Sequence, residues 1–288
     1  LAKSEGNFLF IRDQEIDLLI TLHDMIFLDI EYLENFIYQN ISRRTIERKL
    51  IGLEKEGYIK SFFTPKADGE RATNIKIITL DKLGVEEVKS LTGTVNWDKR
   101  WTKRSPSFIH HNISLANLRG AFYRDQKDDF KLVSWITERE SYYQYAGRKD
   151  DVIVPDGTTV FHRKLNEKTA YFAYFMEMER SRQRISFSQN KLKRYNAYAG
   201  LKAHIKHPIF EIPPAITSVC FVSMAENEMM NLIEHTEKVS TNHLRTVMYS
   251  TYDKVMSDPM GKIWRFKGQD DGLYPMWTIF KKEEEKTE

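Results

Sequence analysis

The sequence predicts an α+β protein of two units, and three observations lead there. Helix-spaced apolar residues with capping residues run up to Gly57. Two β-rich runs joined by a glycine-containing turn follow. From about residue 130, runs of β-branched and aromatic residues alternate with amphipathic stretches. At 288 residues, 41% hydrophobic and 30% charged, the chain is long enough to bury a core in each unit.

The elements follow in order. "QEIDLLITLH" carries Ile16, Leu19 and Ile20 at helical spacing, and "DIEYLENFIY" predicts a second helix after Asp29, a residue suited to cap it. A third helix starts at Ser42 and runs through "RRTIERKLIGLEKEG", with Ile46, Leu50 and Leu53 on one face and Gly57 as its stop. "YIKSFF" and "NIKIITL" read as two strands, and Asp68-Gly69 between them supplies a tight bend. Three helices and a hairpin make a winged helix-turn-helix, closed by a helix in "DKLGVEEVKSL". "GTVNWDKRWTKRSPS" breaks the pattern and reads as a basic linker. Its Trp97 and Trp101, among Lys99, Arg100, Lys103 and Arg104, suit either a nucleic-acid backbone or the packing of a joint.

The second unit begins with a helix in "FIHHNISLANLRGAFY". Strands are predicted at "KLVSWITE", "DVIVPDG", "TTVFHR" and "TAYFAYFMEMER". A basic helix, "SRQRISFSQNKLKRYNAYAG", leads to a buried strand "AITSVCFVSM", a helix "ENEMMNLIEHTEKV" and a last strand near "KIWRF". This order is an α/β sandwich around a mixed sheet. The expected boundaries are 8–93 for the winged helix, 94–107 for the linker, 108–280 for the second unit and 281–288 for a disordered charged tail.

Charge is distributed unevenly. Residues 1–41 hold two basic and eight acidic residues, a balance of −6, and residues 42–104 hold fifteen and nine, a balance of +6. Phosphate binding depends on such local surpluses. The third helix of a winged helix enters the major groove, about 12 Å wide, so Arg43, Arg44, Thr45 and Arg48 are the expected base readers. Lys66 and Arg71 at the hairpin tip, with Lys60 and Lys76 on its strands, are expected to hold phosphates. The expected partner is double-stranded DNA, bound by a homodimer if the site has paired half-sites. The single cysteine, Cys220, excludes a disulfide framework and a cysteine zinc cluster and suits a reducing, cytoplasmic setting. No apolar run approaches the roughly 18 residues a membrane span requires.

The run "FMEMER" points to chemistry. Strand alternation puts Phe175, Glu177 and Glu179 on one face of a strand that is apolar on both faces. Buried carboxylates need compensation, and a divalent cation suits two on one face, with Asp156 of "VPDG" as a third. Gly157 after it is expected to allow a sharp turn.

"VPDG" followed by "FMEMER" resembles the PD-(D/E)XK nuclease superfamily. With the winged helix, the chain resembles the replication-relaxation family of plasmid and mobile-element proteins. The resemblance implies a nuclease-like second unit and a Mg²⁺ ion on Asp156, Glu177 and Glu179. Glu179 stands where the superfamily usually has lysine, so the lysine must come from elsewhere, Lys191 or Lys193 of the next helix. Glu138 is a further acid, and His110, His111 and Asn117 stand where relatives often carry an acid. The implied function is sequence-specific DNA binding in replication, relaxation or conjugative transfer, alongside relaxase or replication proteins. The alternatives are a non-catalytic regulator or relaxosome accessory, whose Glu177 and Glu179 would pair with Arg180, Arg182 or Arg184, and a nuclease acting on foreign DNA.

Overall fold

The computed structural model describes residues 12–66, 74–165, 168–179 and 185–278. The chain divides into two compact units, residues 1–120 and 121–288. The division falls between Gly120 and Ala121, within the helix Pro106–Arg124. The physical reason is that Ile109 and Ile113 of this helix are buried with Ile26, Phe27 and Ile77 in the core of the first unit.

In the first unit α1 (Asp13–Met25) is followed by a two-residue strand β1 (Leu28–Asp29) and by α2 (Ile30–Tyr32), which continues as a π-helical turn over Leu33–Ile37. Asp29 caps α2 as expected, its Oδ1 accepting the Tyr32 N–H at 2.8 Å. α3 (Arg43–Lys55) buries Ile46, Leu50 and Leu53, and Gly57 follows it at φ 81°, the left-handed conformation that ends a helix cheaply only at glycine. The hairpin strands β2 (Ile59–Pro65) and β3 (Asn74–Leu80) pair antiparallel, and β1 adds to the outer side of β3. The Asp68-Gly69 bend lies outside the described residues. α4 (Lys82–Thr92) packs against α1 and the hairpin and ends at Gly93, also left-handed. α5 (Pro106–Arg124) crosses into the second unit.

The second unit is built on a six-stranded mixed sheet. Its strands are β4 (Phe130–Thr137), β7 (Gly157–Leu165), β8 (Lys168–Glu179), β9 (Ile216–Ser223), β10 (Thr246–Thr251) and β11 (Arg265–Phe266). Their spatial order is β11-β10-β9-β8-β7-β4, with β8, β9 and β10 mutually parallel and the outer pairings antiparallel. α7 (Ile185–Gly200) and α8 (Glu226–Glu237) join one core, where Leu192, Tyr195, Tyr198 and Met229 meet Ala173, Phe175, Val219 and Phe221. Among the other face's aromatics, Phe130 stacks on Phe161 at 4.7 Å between ring centroids. Short helices α6 (Glu138–Ser141) and α9 (Tyr252–Ser257) follow β4 and β10. Cys220 is a buried free thiol, as its apolar surroundings predict. Among the described residues no helix is long and apolar enough to cross a membrane.

The structure corrects the reading of "DVIVPDG". Only Val152–Ile153 (β6) is extended, and it pairs with Tyr143–Gln144 (β5) in a separate ribbon instead of joining the main sheet. Pro155 has no N–H to give to a ladder, so the sheet strand begins two residues later, at Gly157. Asp156 therefore precedes a strand rather than ending one. Gly157 makes no sharp turn, since it is already paired in the sheet opposite Met176 and Thr137; its use is close packing. A Cβ there would come within 2.7 Å of the buried Trp135 indole. Gly157→Ala is accordingly expected to destabilise the fold by about 1–3 kcal/mol through overpacking, read as a lowered urea midpoint at unchanged slope.

Candidate functional site

The first unit presents a basic helix end. Because α3 turns Ile46, Leu50 and Leu53 inward, Arg43, Arg44 and Arg48 emerge exposed, with Thr45 half-buried between them. Ser42 Oγ lies 3.0 Å from Thr45 Oγ1, which steadies the first turn. Arg43 Nε is 3.8 Å from Glu34 and 3.7 Å from Glu47, exposed pairs that hold it weakly. Lys49, by contrast, points inward and donates to the buried Glu15 at 2.5 Å.

The expected phosphate contacts divide. Lys66 is exposed and Lys76 half-buried, while Lys60 Nζ donates to Thr102 Oγ1 at 3.1 Å. Arg71 lies outside the described residues. Trp97 and Trp101 meet edge to face at 5.9 Å and pack on the cluster of Ile26, Phe27 and Ile77. Both rings are therefore seated against the first unit's own core. His110 Nε2 lies 2.7 Å from the Pro65 carbonyl in the same first unit, His111 is half-buried and Asn117 buried. The histidines were expected in the second unit; their helix contributes its N-terminal part to the first because Ile109 and Ile113 are needed in that core.

In the second unit the sequence-predicted acids come together with a lysine. β8 buries every residue from Phe172 to Glu179, and its odd-numbered positions face α7, putting Glu177 (1% exposed) and Glu179 (7%) beneath that helix. Gly157 opposes Met176 across the β7–β8 ladder, so Asp156, one residue earlier, sits beside the C-terminal end of β8. Its Oδ2 accepts the Met178 N–H at 2.7 Å. From α7, Lys191 Nζ reaches Glu177 Oε2 at 2.5 Å and Glu179 Oε1 at 3.5 Å, and it sits 5.0 Å from the Phe187 ring. One turn further along, the Tyr195 hydroxyl donates to Glu177 Oε1. Of the two lysines considered for the absent strand lysine, Lys191 reaches the site. Lys193 is exposed and lines an open pocket with Tyr145, Asp150 and Arg194. Glu138 is exposed on α6. Arg180, Arg182 and Arg184 lie outside the described residues.

The electrostatics follow from burial. Desolvation pushes the Glu177 carboxyl up to about 7, against the attraction of Lys191 and the hydrogen bonds from Lys191 and Tyr195; the charge of Asp156 adds to the rise. For Lys191 burial acts downward, but Glu177, Asp156 and Glu179 outweigh it and hold the ammonium protonated, above its ordinary value. Tyr195 is pushed well up by burial and by Glu177, so its phenol stays a donor.

Sequence reading missed Tyr195. The signal was its spacing of four from Lys191, which places both side chains on one helix face.

Among the described residues no group of three or more His, Cys, Asp and Glu side chains is arranged to hold a metal ion. Glu179 turns towards Lys191 instead of completing such a group. Asp156, just before β7, and Glu177, on β8, remain hard oxygen donors, and each carboxylate oxygen has a second lone pair beyond the one a hydrogen bond uses. That pair fits Mg²⁺, which commonly takes one or two carboxylates and completes its shell with water and phosphate. It does not fit a closed cage of protein ligands.

Comparison with known proteins adds three findings. No curated protein matches the chain. Among solved structures the chain is similar to the restriction endonuclease FokI bound to DNA, at 11% identity and a TM-score of 0.27, covering 89% of this chain and 45% of that one. The chain thus spans under half of that protein's length, and at this TM-score the likeness carries no weight for mechanism. A family model described as replication-relaxation matches residues 19–210, from within α1 to just short of β9. That match covers two thirds of the chain, which therefore belongs to the replication-relaxation family.

Proposed function

We propose that the protein binds duplex DNA of a plasmid or other mobile element through the start of α3, and acts there in replication, relaxation or transfer. The observation that supports this most is the exposure of Arg43, Arg44 and Arg48 on the face opposite a buried Ile46, Leu50 and Leu53. A helix so divided can enter a major groove basic side first. Lys66 and Lys76 would follow neighbouring phosphates. Replacing Arg44 by alanine is expected to weaken binding to the specific site by about 1–3 kcal/mol and to change non-specific binding far less. Gel-shift titrations of both DNAs at one fixed salt concentration measure this. Equal losses on the two DNAs would make Arg44 a phosphate contact.

For the second unit the reading is a PD-(D/E)XK-like domain that hydrolyses phosphodiesters. Asp156 and Glu177 would hold Mg²⁺, whose chemistry is to activate water and polarise a phosphoryl oxygen. Lys191 keeps a positive charge beside Glu177, placed to offset charge on a phosphate. Glu179 adds a second carboxylate 3.5 Å from that ammonium.

A specific observation favours a second reading, a non-catalytic accessory that contacts a relaxase or replication protein: both Glu177 oxygens already accept from protein donors in a nearly closed site. Supercoiled plasmid incubated with Mg²⁺ or Mn²⁺ separates the two. Nicking that disappears in Asp156→Ala supports hydrolysis; no nicking by either protein supports the accessory.

A further inference from the structure

We infer that Tyr195 is a positioning residue for this carboxylate site, fixing the orientation in which Glu177 meets both Lys191 and a divalent cation. The inference rests on the hydrolytic reading above. A glutamate carboxyl turns easily, because its last torsion is broad and nearly two-fold. Holding it requires a donor on each oxygen. Lys191 serves Oε2, and Tyr195 serves Oε1.

What distinguishes Tyr195 is how firmly it is seated. Its side chain is 2% exposed. The ring stacks on Phe175, with centroids 5.1 Å apart and planes 20° apart, and Phe175 precedes Glu177 by two residues on the same strand face. Tyr198, one turn along α7 from Tyr195, closes the same Phe175 ring edge-on at 5.5 Å. The hydroxyl is therefore delivered by a packed aromatic cluster that also contains the strand bearing the carboxylate. Lys191 alone could not do this, since an ammonium on a flexible four-carbon stem follows the carboxylate wherever it turns. Removal of a hydrogen-bond partner from a metal-ligating group typically lowers metal affinity about 10–100-fold.

The test uses the full chain and Mn²⁺ as the probe, with binding followed by water-proton relaxation well below the unfolding temperature. Tyr195→Phe keeps the stacked ring and removes only the hydroxyl. It is expected to weaken Mn²⁺ binding about 10–100-fold. Plasmid nicking by this variant is expected to recover as Mn²⁺ is raised, a recovery that a purely structural loss would not show. Phe175→Leu, which loosens the seat without touching either carboxylate, is expected to shift Mn²⁺ binding in the same direction. If Tyr195→Phe and Phe175→Leu bind Mn²⁺ like the unaltered protein while Asp156→Ala does not, the positioning role is wrong and the metal site stands. If the unaltered protein shows no Mn²⁺ binding that depends on Asp156, the hydrolytic reading falls and this inference with it.

Discussion

Lys191→Ala is expected to lower the unfolding free energy by about 3–5 kcal/mol, the largest effect of any single substitution considered, because it breaks a buried ion pair from one side. The Lys191 side chain is 16% exposed and Glu177 1%, so water cannot replace the lost ammonium. The variant leaves Glu177 with Tyr195 as its remaining donor of the two in place now. It has an escape route, since a carboxyl already pushed up to about 7 can take a proton instead of staying charged. The sign of the pH dependence follows. A carboxyl whose folded value is raised costs nothing where it is protonated in both states and costs most above its folded value. The loss caused by Lys191→Ala should therefore be larger at mildly alkaline pH than at mildly acidic pH.

A second variant separates the pair from the packing. Lys191→Met combined with Glu177→Gln removes both charges and keeps an acceptor for Tyr195, and its expected cost is about 1 kcal/mol or less. Urea unfolding of the two single variants and the double gives the coupling directly. Near-additive losses would mean that the contact between Lys191 and Glu177 contributes little, and the electrostatic account of this site would fail.

Much of this fold is legible in the sequence because it is locally encoded. Asp29 caps α2 through its own side chain, and Gly57 ends α3 in the one conformation where glycine has an advantage. The runs that became β4, β7, β8 and β9 are long and rich in β-branched or aromatic residues, so their neighbours do not have to be known. β1 has two residues, too few for any period to show, and exists because β3 offers it an edge. β10 differs: "TVMYST" carries a strand-like composition, but it is short and lies between two clearer elements.

The site divides in the same way. Alternation along β8 places Glu177 and Glu179 on one face from the letters alone, and Lys191 is legible as a partner because α7 is the next element after β8. Asp156 is legible by its type but not by its setting, since one extended piece stops at Ile153, Pro155 intervenes, and the next begins at Gly157. Tyr195 carries no charge at neutral pH to draw attention. Its role arises from a helix laid across a strand, and only the packed structure shows which hydroxyl on that helix meets a carboxylate.

His207 is expected to make the second unit acid-sensitive, and the sign can be worked out from its surroundings. Its ring is 2% exposed, stacked on Tyr143 at 4.1 Å and edge-on to Phe210 at 5.3 Å. Nδ1 lies 2.9 Å from the Tyr198 hydroxyl, while Nε2 is buried and finds no partner among the described residues. A protonated ring would carry two N–H donors and a charge into that setting. Burial accordingly depresses the imidazole from 6.5 to about 4. The unfolded chain takes up a proton below about 6.5 and the folded one resists until about 4, so stability is full above that window and falls as pH drops through it. A difference of this size corresponds to about 3 kcal/mol. Glu177 runs the other way, because a carboxyl raised from 4.5 to about 7 contributes stability below 4.5 that is lost as pH climbs. The total pH profile therefore mixes opposed contributions, and the informative quantity is the difference between the unaltered protein and His207→Gln. That glutamine can still accept from Tyr198 and cannot titrate. The stability advantage of the unaltered protein is expected to shrink by about 3 kcal/mol as pH falls from about 7 to about 4, measured by urea unfolding of both proteins at each pH. A difference that stays constant across the window would show that the ring is protonated in place, and that the contacts around His207 tolerate the charge.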